Sequence, residues 1–455
     1  MPTPHAASGP INSGNRFLGI ELNSGVAARH MLTFYLACLC SIMLASFIPQ
    51  SQPFILTEFL AIPESRHGVV SGMLNFWAEI VIIVSVDIFG PLSDRFGRKP
   101  VTSFGFALMA VGTYLYPRAQ DLDYLLAYRL LYSVGIAAVT AMVVTIVADY
   151  ASDKSRGKAT GLLGVMNGVG AMIAVFVLLK LPALFQNQGL SAQEAGMKTY
   201  DLVAGIIVLT SLIMLVGLKP HQKIANSSHD SLLRSARNGL IAARDPGVAL
   251  AYGASFLARG NLMIVGTFFT LWITNYGTSV LQLGRAEALA QAGTIVGIAQ
   301  GCALLGAPLF GLMSDKMNRV HALMVALTVS AIGYSSTYFI DNPFSSGMMI
   351  CAIFIGLGEI GCIITSGVLI AQQTPARIRG AAIGFFTMCG AVGILAASVV
   401  GGYLYDLWRP SAPFILFGGV AIIVLVWAIL VQSKVQPLDH GSESESDTPL
   451  ETASA

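Results

Sequence analysis

The sequence predicts an all-α membrane protein made of two pseudo-symmetric halves, each of six transmembrane helices. Three observations carry that prediction: a composition almost without charge, twelve apolar runs of membrane length, and an internal repeat. Of the 455 residues, 55% are hydrophobic and only 11% are charged, with 26 Lys and Arg against 24 Asp and Glu. A soluble domain carries about a quarter charged residues, so this chain has too few to cover a surface facing water. The composition excludes a soluble globular domain, a disordered chain and a disulfide scaffold. A net charge of +2 gives no reason to expect nucleic acid as a partner.

Apolar runs of about 20 residues, the length that crosses a bilayer, fall at 31–50, 68–92, 101–117, 124–148, 159–180, 199–218, 248–276, 286–312, 322–340, 347–371, 380–403 and 412–432. No cleavage site follows the first run, so Met31 onward reads as a retained helix and not a signal peptide. With the N-terminus inside, 18 of the 26 Lys and Arg lie on the inner side and six on the outer, while Arg129 and Arg259 lie within runs. That bias predicts both termini in the cytoplasm, in a plasma or inner membrane.

The expected division is a cytoplasmic arm over 1–30, a six-helix half over 31–218, a cytoplasmic loop over 219–247, a second half over 248–432 and an acidic, disordered tail over 433–455. Leu232–Ala243 within the central loop has the pattern of a short amphipathic helix. All six cysteines lie in apolar runs and read as small hydrophobes without disulfides. Cys38 and Cys40 form only a CxC on adjacent helix faces, so no metal site is expected.

The halves repeat each other. Gly90-Pro-Leu-Ser-Asp94-Arg95-Phe-Gly97-Arg98-Lys99 follows the second run, and Gly311-Leu-Met-Ser-Asp315-Lys316-Met-Asn318-Arg319 follows the eighth. A second match aligns Asp149 to Gly161 with Gln372 to Gly384 at nearly the same offset. Six-helix units that repeat in parallel are related by an axis along the membrane normal.

The Gly90–Lys99 loop resembles the G-x-L-x-D-R-x-G-R-K loop of the major facilitator superfamily, and the degenerate copy stands where that family has it. The resemblance covers about residues 30–432 and implies that family's fold and a secondary transporter. It implies two halves rocking about a cavity lined mainly by helices 1, 4, 7 and 10. It also implies an inner gate in which Asp94 sits near Gly380 and Arg98 reaches Asp149.

The residues give their own reasons for such a gate. Gly90 would let helix 2 approach a neighbour, Gly97 permits a tight turn, and Asp94 can meet a helix N-terminus. Arg95 belongs to the same loop. In the second copy Asn318 replaces the glycine, and only Asp315 and Arg319 keep the charge pattern, so a weaker latch is expected.

A lone charge at the bilayer centre costs about 2.5–3.5 kcal/mol on insertion scales. Five charges inside runs are therefore candidates for the substrate and proton pathway: Glu79, Asp87, Arg129, Arg259 and Glu359. Arg259 and Glu359 lie at similar depth and are candidates to pair. Arg129 resembles the helix 4 arginine of the family's R-x-x-x-G-x-G motif, with Ser133 for the first glycine. Helix 1 offers it no acid from Met31 to Gln50, which makes Glu79 its nearest partner by depth. Asp87 suits the gate network or the inner mouth. All histidines lie outside the runs, so carboxylates are expected to carry any coupled proton.

The family's drug–proton antiporter pattern on helix 5 is incomplete here, with Gly161 and Gly170 but Ala174-Val175 where Gly-Pro would stand. The expectation is a monomeric secondary transporter for a small organic solute, coupled to protons, with no cofactor and no catalytic set. The alternatives are a multidrug antiporter, an organic-anion uniporter or antiporter, and a transporter-like sensor. No ATP-binding G-x-x-x-x-G-K-[ST] is present, so a gradient must supply the energy.

Overall fold

The structure is a computed structural model that describes residues 16–220, 239–375 and 378–435. In hydrocarbon every backbone N–H and C=O must be paired within its own segment, which leaves the helix as the way for such runs to cross. Twelve long helices result: α1 (Ala28–Glu58), α2 (His67–Phe96), α3 (Arg98–Leu115), α4 (Leu122–Tyr150), α5 (Arg156–Phe176), α6 (Ala192–Gly217), α7 (Pro246–Ser279), α8 (Arg285–Lys316), α9 (Arg319–Ser336), α10 (Ser346–Gln373), α11 (Arg379–Leu407) and α12 (Ala412–Val431). Eleven are long and apolar enough to span by composition alone. The exception is α3, which opens on Arg98-Lys99-Pro100 and packs between α4 and α6.

Polar caps fix several helix starts. Asp121 Oδ1 accepts from the N–H groups of Asp123 and Tyr124 at 2.9 and 3.0 Å. Asp245 Oδ1 does the same for Gly247 and Val248 at 2.8 and 2.9 Å, and Ser191 and Glu194 form a reciprocal box. The seventh run is interrupted by one π-turn, Val265–Phe269, which the sequence reading did not anticipate.

Helix packing repeats between the halves. The pairs α1–α5, α3–α4, α2–α4 and α3–α6 recur as α7–α11, α9–α10, α8–α10 and α9–α12. Adding six to each helix number converts one set into the other, as duplication requires. The halves meet through α2–α11 and α5–α8, which the same operation exchanges.

Part of the expected N-terminal arm is ordered chain. Strands Arg16–Phe17 (β1) and Ile20–Glu21 (β2) form a hairpin turned at Leu18 and Gly19, both at positive φ. It lies against the end of α4: Asn23 N–H donates to the Tyr150 carbonyl, and Ser152 N–H donates to that of Glu21, both at 2.9 Å. Residues 232–238 of the proposed amphipathic helix, and the acidic tail from 436, lie outside the described residues.

Glycines reveal where the halves touch. An even number of crossings puts both chain ends on one face. Toward the opposite, far face, a Cβ at Gly72 would strike the Ser398 carbonyl, and one at Gly402 would strike that of Gly68. Gly293 likewise faces the Val175 carbonyl, and Gly297 the Phe176 ring. Toward the chain-end face, Gly90, Gly157, Gly161, Gly311, Gly380 and Gly384 would each meet nothing within 4 Å. Gly90 therefore packs no neighbour closely in this state, contrary to expectation. The hydrogen bonds that join the halves follow the same division and gather in the far-face part of the bundle. The cleft between the halves is closed at the far face and open toward the chain ends.

Gly72→Val should lower stability by about 1–3 kcal/mol through overpacking, or drive the far face apart. Gly384→Ala should change stability by less than about 0.5 kcal/mol. Thermal unfolding of the two purified variants in one detergent checks this, and equal effects would contradict a closed far face.

Candidate transport site

The loop after α2 forms the turn that its glycine requires. Gly97 has φ +98°, a region that side chains disfavour, and this reversal places Arg98 at the start of α3. Arg98 Nη1 donates to Asp94 Oδ1 at 2.5 Å and to Ser93 Oγ at 2.6 Å, while its Nε donates to Asp149 Oδ2 at 3.0 Å. One guanidinium thus joins the end of α2 to the end of α4. Every one of these contacts lies within the first half. A Cβ at Gly380, the residue expected beside Asp94, would meet nothing within 4 Å. Arg95 is exposed, with its guanidinium 5.3 Å from the Phe96 ring centroid.

The second copy is built differently. Asn318 caps α9 by accepting from Val320 N–H at 2.9 Å. Asp315 is exposed, and Arg319 has one buried nitrogen, Nη1, without a partner. Neither is in an ion pair like that of Arg98.

At mid-depth two expected pairings are replaced. Arg259 and Glu359 do not pair. Arg259 is exposed on α7 and its stem lies against Gly390 of α11. Glu359 is 4% exposed on α10 and feels Tyr334 of α9 and Cys362, so it lies inside the second half, not in the cleft. The side chain faces its own half, contrary to the expected pairing. Its Oε2 has no hydrogen-bond partner. A buried carboxylate oxygen without a hydrogen-bond partner is costly.

Arg129 does not pair with Glu79 either. Its Nη2 donates to Asn75 Oδ1 at 2.9 Å, its guanidinium lies 5.8 Å from the Tyr132 ring centroid, and Nε and Nη1 have no partner. Asn75 Nδ2 in turn donates to Thr267 Oγ1 at 3.1 Å, inside the π-turn of α7. The uncharged Asn75 thus ties a buried cation of the first half to the second half. Glu79 lies one turn further along the Asn75 face of α2, half-buried, and the Arg259 charge acts on it from across the cleft. The two are not in ion-pair contact. Asp87 is exposed nearer the open end.

The far-face closure uses residues that the sequence reading passed over. Asp406 near the end of α11 accepts from the N–H groups of Gly68 and Val69 at 2.8 and 2.7 Å, capping the first turn of α2. Arg285 at the start of α8 pairs with Glu64 at 2.7 Å and donates to Asn275 Oδ1 at 2.9 Å. In the sequence these charges fall near run ends and belong to no motif. Their only signal was clustering at the expected outer ends of runs.

Two six-helix halves around a one-sided cleft, with unpaired opposite charges at mid-depth, define a membrane transporter. The chain belongs to the major facilitator superfamily, whose profile matches residues 33–301 and 255–453. It is 25% identical over 431 residues to the magnetosome protein MamH of Paramagnetospirillum magneticum, covering 92% of this chain and 96% of the relative. It is 27% identical over 434 residues to the magnetosome protein MamZ of the same organism, covering 90% of this chain but only 64% of MamZ. The crystal structure of the nucleoside transporter NupG superposes with a TM-score of 0.67 at 14% identity, covering 89% of this chain and 99% of NupG.

Asn75→Leu should leave the Arg129 guanidinium without its hydrogen bond and cost about 3–5 kcal/mol. Arg98→Ala, at a partly exposed pair, should cost only about 1 kcal/mol. Denaturation midpoints in matched detergent check the order, and a larger loss at Arg98 would contradict it.

Proposed function

We propose that the protein is a proton-coupled secondary transporter of a small organic solute bearing a negative group. The observation that carries this reading is Arg259 and Glu79 at mid-depth on facing helices of opposite halves. One is exposed and the other half-buried, and neither is in an ion pair. A guanidinium open to a cleft suits a carboxylate or phosphate, which it can grip with two parallel hydrogen bonds. Glu79 would exchange the coupled proton, since a carboxylate beside a vacant cation site changes its charge state as the solute arrives and leaves. Glu359 is the second proton group, and Arg129 with Asn75 links the site to the far-face closure. Asp87 lies on the open path, and the Gly90–Arg98 loop with Asp149 is the gate that the open face would close.

The lysine and arginine bias supports placing the chain ends in the cytoplasm, which makes this the inward-facing state and the far face external. The domain limits at 31–218 and 248–432 then mark the moving bodies. Two relatives carry the word magnetosome in their names. Among the described residues no group of three or more His, Cys, Asp or Glu could hold a metal ion, which favours an organic solute over a metal. A uniporter or antiporter for an organic anion is the second reading, and the exposure of Arg259 favours it equally.

Uptake into proteoliposomes with and without an imposed pH gradient separates the two readings. Glu79→Gln should lower gradient-driven uptake at least tenfold while leaving solute exchange at equal pH intact, because an amide cannot carry the proton. Arg259→Ala should abolish binding of the anionic solute in a thermal-shift screen, with Arg259→Lys restoring only part of it. Gradient-driven uptake that survives Glu79→Gln would rule out this carboxylate. A cysteine at Lys198 or Arg409 should label only from outside, and one at Lys154 only from inside.

A further inference from the structure

We propose that Asn23 is a positioning residue of the chain-end gate, fixing the end of α4 so that the Asp149 carboxylate meets Arg98. Asp149 is the penultimate residue of α4, and Ala151 is its C-cap. The last carbonyls of a helix have no partner within it. Here Asn23 serves three of them in succession. Its Nδ2 donates to the Asp149 carbonyl at 3.0 Å and to that of Ala151 at 3.3 Å. Its N–H donates to the Tyr150 carbonyl between them at 2.9 Å. Both side-chain partners only accept, so the amide has one admissible orientation. The Asp149 carboxylate meanwhile accepts from Arg98 Nε at 3.0 Å. Asp149 is thus held by Asn23 through its main chain and by Arg98 through its side chain.

Asp149 stands where a helix disfavours an acid. The C-terminal end carries the negative pole, which raises the energy of a carboxylate in the last turn. Asn23 directs its donors at the carbonyls that make that pole, and Arg98 meets the charge itself. Losing the Asn23 amide would free the last turn to fray. A carboxylate on a frayed turn has no fixed direction toward a guanidinium that has other acceptors in Ser93 and Asp94. The arm is anchored well enough to impose the geometry. Glu21 N–H donates to Ser155 Oγ at 3.0 Å, beside the start of α5. Lys219 Nζ, just beyond α6, donates to the Ser24 carbonyl at 3.0 Å, and the Phe17 ring stacks on Tyr35 of α1 at 5.9 Å. These contacts all lie within the first half, so the arm moves with that half and acts on the cleft through Asp149. The inference rests on the gate reading of the Gly90–Arg98 loop for its role in transport, but the positioning of Asp149 is tested apart from it.

The test is a double-mutant cycle on the purified full chain in one detergent. Arg98→Ala, Asp149→Ala and the double variant give the factor by which the two side chains couple in the unfolding equilibrium constant. In the parent that factor should be about threefold or more, as for a partly exposed ion pair, and Asn23→Ala should bring it close to one. Asn23→Asp, which sets an acceptor against two carbonyls, should do the same. The factor for Arg98 with Asp94 should not fall, because none of the Asn23 hydrogen bonds reaches α2. A merely structural Asn23 would lower stability and leave the Arg98–Asp149 factor as it was, and that result overturns the proposal. So does a parent without coupling. If Asn23→Ala fails to fold, Asn23→Ser, which keeps only a shorter donor, decides by the same criterion. Maleimide labelling of Gly384→Cys from the chain-end side, in a chain without its native cysteines, reads the gate separately. The rate should rise in Arg98→Ala and Asn23→Ala alike. A rate unmoved by Arg98→Ala would sink the gate reading, with the coupling factor still deciding the positioning.

Discussion

A charge in a water-free interior must find a partner or surrender its proton, and the arrangement of this protein follows from how each buried charge meets that demand. Arg129 cannot give up its proton, so it is held by Asn75 and the Tyr132 ring. Glu359 is buried, with no hydrogen-bond partner at its Oε2. Arg259 and Glu79 meet the demand differently, by lying where the cleft admits water. The same rule forces the backbone into helices, so it governs both the scaffold and its exceptions.

The two faces are closed by different physics. At the far face, backbone meets backbone at Gly72 and Gly402, and Asp406 caps a helix of the other half. Such contacts are short and unforgiving of shape, so they are either made or lost together. At the chain-end face Arg98 joins Asp94 to Asp149 within the first half. Long charged side chains can reach across a gap, whereas a glycine contact cannot form at a distance. Bistability of this kind, with one packed face and one poised face, is what alternating access requires.

The sequence made the scaffold legible because span length and polarity are properties of composition. The loop at Gly90–Lys99 was legible because it recurs, and its Arg98–Asp149 geometry lies within reach of the turn at Gly97. The pairings at mid-depth were not. Position along a helix gives depth at 1.5 Å per residue, but the face a side chain presents depends on which neighbour packs where. Glu359 shows the difference, since its neighbours are Tyr334 and Cys362 of its own half. Asn75, His67 and Asn275 escaped notice for a second reason. Uncharged or edge polar groups are common in such helices, and only their partners across the interface distinguish these three.

The π-turn of α7 ties these threads together. A turn of that kind widens the helix and leaves local carbonyls with altered partners, and here it presents Thr267 to Asn75. Among the described residues Asn75 is also the hydrogen-bond partner of the Arg129 guanidinium, so the buried cation of the first half is joined to the second through one amide. Eight residues along α7, two turns further toward the far face, Asn275 meets His67 and Arg285. Movement of α7 away from α2 would therefore break the Thr267 and the Asn275 contacts together, exposing one basic group in the membrane interior and another at its edge. The Arg129 cluster and the far-face closure thus share one helix.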